Sequence, residues 1–142
     1  MMGMGAHTIF LPIAALALWT LTVLLLIPIA RFKAGAQGHV NAGDFRYGES
    51  DRVPAHVKLP NRNFMNLLEV PVLFYLACVV AFLIQAVDPT LLTLAWVYVA
   101  LRMGHSCVHL SYNNVMHRLT LFAISNVVVL NMWGVLSWRL LS

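Results

Sequence analysis

A chain of 142 residues is long enough for one domain, and 61% of it is hydrophobic while only 10% is charged. Soluble domains carry about 25% charged residues, so this composition excludes an ordinary soluble fold and points to a multi-span membrane protein. The net charge of +4 comes largely from arginines and lysines between apolar runs and is not read as a nucleic-acid surface.

Four runs reach the roughly 20 residues that a helix needs to cross a bilayer. The first, residues 8–30, has no charged residue and is closed by Arg31 and Lys33. It is longer than a signal-peptide core of about 7–15 residues, so a retained span is expected rather than a cleavable leader. Residues 34–61 read as a polar connection punctuated by Gly35, Gly38, Gly43, Gly48, Pro54 and Pro60. A connection of this length is either a solvated linker or functional.

The second span is expected over residues 63–87. Pro71 lacks a backbone donor, which leaves the Leu67 carbonyl free and predicts a kink. The tight turn at Asp88-Pro89 forces an antiparallel return into a third span, 91–112, and a turn at 113–118 leads into a fourth, 119–138. The expected fold is an all-α integral membrane four-helix bundle forming a single domain over 1–142. Cys78 and Cys107 lie in apolar runs and read as free, small, buried residues. Loop charge sets orientation. Arg31, Lys33, Arg46, Arg52, Lys58, Arg62 and Arg118 fall on one side, against Arg139 on the other. The basic side is therefore expected in the cytosol, with both termini opposite.

Two spans carry polar rows that a bilayer disfavours. Arg62, Asn66 and Glu69 are spaced i, i+4, i+7 at the start of the second span, one face of a helix. Arg102, His105, His109 and Tyr112 repeat the pattern at the end of the third. Antiparallel packing brings the rows to one depth, where Glu69 and Arg102 reach each other or a common ligand. A charge inside a span needs compensation of about 3 kcal/mol and is a functional candidate by default. Around this mouth Arg31, Arg62, Arg102 and Arg118 outnumber the one deep carboxylate, which favours an anionic ligand. The same arginines oppose a metal ion at His105, His109 and Glu69. Two histidines one turn apart on one helix cannot sandwich a haem.

The run Arg62-x3-Asn66-x2-Glu69 with Pro71, then Arg102-x2-His105 and a later Arg118, resembles the MAPEG family of membrane-associated proteins in eicosanoid and glutathione metabolism. The resemblance implies a four-helix bundle, a homotrimer, and a site between neighbouring subunits open to the cytosol. It implies that Arg31, Arg62, Asn66, Glu69, Arg102 and His105 bind glutathione. Arg118 would stabilise the thiolate, with His109 or Tyr112 as a hydrogen-bond donor; at His109 relatives often carry tyrosine. Glutathione bears two carboxylates and one ammonium, which suits several arginines and one glutamate. The implied activity is a glutathione transferase, with peroxidase activity as a companion, acting on a lipophilic second substrate that enters from the bilayer. The competing expectation is a non-catalytic assembly or lipid-binding subunit in which Glu69 and Arg102 form a structural pair.

Overall fold

The computed structural model describes residues 5–142. A short 3-10 turn, Ala6–Ile9, leads into helix α1, Phe10–Ala36; then come α2, Ala55–Leu68, α3, Pro71–Leu83, α4, Pro89–Leu110, and α5, Val115–Leu141. Helices α2 and α3 are the two halves of one broken span, so five helices make four crossings, each apolar and long enough for a bilayer.

The helices outrun the apolar runs that announced them. Helix α1 continues past Arg31 and Lys33 to Ala36. Basic residues end an apolar run but not a helix, and they favour a helix C-terminus. What stops α1 is Gly38, at φ +75°. Its N–H returns to Gly35 O and that of His39 to Ala34 O, at 3.0 Å each, the paired bonds of a Schellman end. Gly35 and Pro60, read as breakers, lie inside α1 and α2. Asn114 starts α5 four residues before the apolar run, because its Oδ1 accepts from Met116 N and His117 N at 2.9 and 3.1 Å. Arg118 therefore sits in the first turns of α5 and not in a loop. The second span ends early, at Leu83, where Gln85 adopts φ +55° and Ala86 N returns to Ala81 O.

The core follows one stripe per helix. Leu16 and Val23 of α1, Leu67 of α2, Phe74 and Cys78 of α3, Leu91 and Tyr98 of α4, and Met132 and Leu136 of α5 are all buried. Phe74 and Tyr98 stack at 4.5 Å between centroids. The opposite faces carry exposed Leu18, Leu25, Ile29, Val72 and Leu130, apolar all round as lipid-facing helices are. Both cysteines are free, but only Cys78 is buried; Cys107 is on an exposed face of α4.

The connection between α1 and α2 is folded. It holds a 3-10 turn, Ala42–Phe45, and a small apolar cluster in which Val40 and Val53 meet Ala34 and Val57. Opposite lies the 84–88 turn, where Arg139 of α5 donates to Ala86 O and pairs with Asp88. Asp88 also caps α4, accepting from Leu91 N at 2.8 Å. That N–H, first, and then Arg139 hold the Asp88 carboxyl below its usual range. A depressed pKa stabilises the fold above the unfolded value, near 3.9, and the contribution fades as pH falls through the folded value. Asp88→Ala should cost about 1–2 kcal/mol in detergent unfolding. Asp88→Asn should lose part of the drop in thermal stability on acidification below about pH 4.

Candidate functional site

The expected kink is present and is a full break. Glu69 ends α2 with ψ −104°, and Pro71 opens α3. Helical bonding is interrupted here, so a carbonyl inside the membrane segment needs another donor. The one captured is that of Asn66, one residue before the expected Leu67: Arg102 Nη2 of α4 donates to Asn66 O at 2.5 Å.

Arg102 is fully buried, at 0% exposure. Its guanidinium also lies 5.5 Å from the Phe122 ring centroid on α5. The ion pairs among the described residues are Arg31–Glu49, Arg52–Asp44 and Arg139–Asp88. Glu69 and Arg102 are therefore not paired within 4 Å, and the structural pair expected between them is corrected. Glu69 sits at the break and is exposed, while Arg102 is buried and spent on the Asn66 carbonyl.

The other predicted residues divide by face. The buried side of α2 is Val57, Pro60, Asn63 and Leu67. Arg62 and Glu69 are exposed, and Asn66 lies between the two faces. On α4, His105 and His109 are buried beside Arg102 with ring centroids 6.0 Å apart. Tyr112 lies past the helix end, 63% exposed, and its hydroxyl meets His117 Nδ1 at 2.8 Å. Arg118 donates to Asn113 Oδ1 at 2.7 Å. Arg31 is at the end of α1 against the folded connection, 3.3 Å from Glu49.

Three predicted residues share one groove of about 210 Å³: Asn66, His105 and Arg118, walled by Val115, Leu119 and Phe122. Arg62 borders a second groove with Lys58, Asp51 and Asn113; Asn113 is the partner of Arg118, so the two are neighbours at one end of the bundle. Arg31 borders a third, apolar groove. Several buried polar atoms of α2 and α4 have no partner among the described residues, including Arg102 Nε and Nη1, His105 Nδ1, His109 Nδ1 and Asn63 Oδ1. A set rich in donors and poor in carboxylates suits a polar anionic ligand.

Sequence reasoning missed Asn63, which is buried and donates to Ser106 Oγ at 2.5 Å. It lies three residues before Asn66 and in step with Val57, Pro60 and Leu67, a helical phase that points at α4. Phe122 was missed as well; a lone aromatic in an apolar run gives no sign that it faces a guanidinium.

Five helices in four crossings, with a cationic, hydrogen-bonding site at one end, define an integral, multi-pass membrane protein with a polar pocket. The family model of the MAPEG family matches residues 9–138, and the chain belongs to that family. Among curated proteins and among solved structures, nothing matches the chain.

If Arg102 caps the break, Arg102→Met should destabilise the protein by about 2 kcal/mol, the worth of a charged hydrogen bond to a buried carbonyl. Hydrogen exchange at residues 66–72 should rise in the ligand-free variant, with exchange at the 84–88 turn unchanged.

Proposed function

We propose that the chain is a membrane glutathione transferase, with hydroperoxide reduction as a companion activity. The observation that supports this reading is the groove shared by Asn66, His105 and Arg118. It joins a guanidinium, an imidazole and an amide, all capable of holding a polar anion beside an apolar wall. Glutathione supplies the thiol. A thiol of pKa about 8.5 is mostly protonated at neutral pH and reacts as the thiolate. Arg118 is suited to favour the thiolate by charge. Of the two expected donors, Tyr112 is exposed beside His117 and His109 is buried one turn from His105; we assign the role to His109.

Arg62, Asn66 and Glu69 bind the peptide part of glutathione from α2 in this reading. The exposure of Arg62 and Glu69 on the protomer suits a site that a neighbouring copy completes. The groove's size argues the same way, being below the roughly 300 Å³ at which whole ligand pockets begin. A homotrimer is the assembly we propose, with Arg31 reaching the ligand of an adjacent subunit. Arg102 then acts from behind, holding the Asn66 backbone, and does not touch glutathione. The lipophilic second substrate arrives from the bilayer, and the site opens to the cytosol.

Arg62→Ala and Glu69→Ala should each weaken glutathione binding to detergent-purified protein by roughly tenfold, about 1.4 kcal/mol. Unchanged affinity in both, measured by calorimetry, would remove this row from the site. Arg118→Ala should raise the apparent pKa of the bound thiol by about one unit, equivalent to about 1.4 kcal/mol. Thiolate absorbance titrated against pH reads this directly.

A further inference from the structure

Two independent sets of contacts hold the 37–54 connection to the bundle. One is apolar and internal. Val40 and Val53 pack on Ala34 and Val57. Asp44 accepts from Asn41 N and Ser50 Oγ at 2.9 Å each, with Arg52 3.8 Å away. The other set centres on Arg31. Glu49 Oε1 accepts from Arg31 Nη2 at 3.3 Å, and Phe45 lies against the same guanidinium, 4.5 Å from its ring centroid.

The Glu49 contact has the marks of a placeholder. Its side chain is only 12% exposed, so a carboxylate has left most of its water to sit at Arg31. Yet the bond is long beside the roughly 2.7–2.9 Å of a well-made charge-assisted pair. Arg31 Nε is buried without a partner among the described residues, so the guanidinium is incompletely used. The connection does not depend on Glu49 for its fold, because the Asp44 bonds and the valine cluster do not include it.

We infer that Glu49 is an internal occupant of the Arg31 anion subsite, a specificity-determining carboxylate that a ligand carboxylate must displace. The inference rests on the glutathione reading, in which Arg31 meets a carboxylate of that ligand. One guanidinium edge cannot serve two carboxylates at once. Affinity at this subsite is therefore a difference between two pairings. A ligand lacking the matching carboxylate leaves Glu49 in place.

The test is a four-protein cycle: wild type, Glu49→Gln, Arg31→Gln and the double variant, each full length in detergent, with glutathione binding read by calorimetry. Glu49→Gln should bind about fivefold tighter, the scale of a partly exposed ion pair. Arg31→Gln should bind more weakly, and Glu49→Gln should give no gain in that background. Glu49→Ala repeats the comparison should the amide itself bond Arg31. A pair that merely held the structure together would give the opposite sign. Unchanged or weaker binding in both Glu49 variants, or a gain that persists without Arg31, overturns the inference and leaves the glutathione reading standing. No binding in any of the proteins overturns that reading and this inference with it.

Discussion

The hydrogen bond from Arg102 to the Asn66 carbonyl is the contact on which the site's architecture depends. Pro71 interrupts the second crossing, and a carbonyl in the membrane segment loses its helical donor. Water is scarce at that depth, and an unsatisfied backbone group there costs several kcal/mol. A guanidinium from the next crossing fills the gap. Its own burial is made tolerable by the carbonyl and by the Phe122 ring. Together with the Asn63–Ser106 bond it ties α2 to α4 at the height where Asn66 and His105 face a common groove.

Around that bond the polar residues sort into an inner and an outer layer. Arg102, His105, His109, Asn63 and Ser106 are buried between helices. Arg62 and Glu69 lie on the outer surface of α2. In the inner layer Arg102 holds the Asn66 backbone while His105 lines the groove, and the outer layer is free to meet something beyond the protomer. Arg31 belongs to neither, since the folded connection holds it. A reading in which every charge converges on one cavity of a single chain does not describe this arrangement. The assembly proposed above, with its site shared between copies, is consistent with it.

Much of this was legible in the sequence. The four apolar runs gave four crossings, because burial in lipid leaves little freedom in composition. Helix ends were less legible: Gly38 and Gln85 set them by local backbone bonding and Asn114 by a side-chain cap, which hydropathy does not report. The rows on α2 and α4 were visible as helical spacing. Their pairing was not, because Glu69 at the break is exposed and Arg102 goes to a carbonyl. A backbone acceptor has no letter in the sequence. Asn63 was hidden for the opposite reason, its phase matching the apolar stripe so closely that its neighbours in the row drew the attention.

The broken crossing also bears on how the chain enters a membrane. A hydrophobic helix with all its backbone bonds closed can settle in the lipid as soon as it leaves the translocation machinery. The α2–α3 crossing cannot settle fully in that way, since the Asn66 carbonyl waits for a residue 36 positions later. Until α4 arrives, this segment keeps an open acceptor. The second and third crossings are thus expected to integrate as a hairpin, with the 84–88 turn as its tip. In this chain the order of synthesis and the completion of the polar site are coupled.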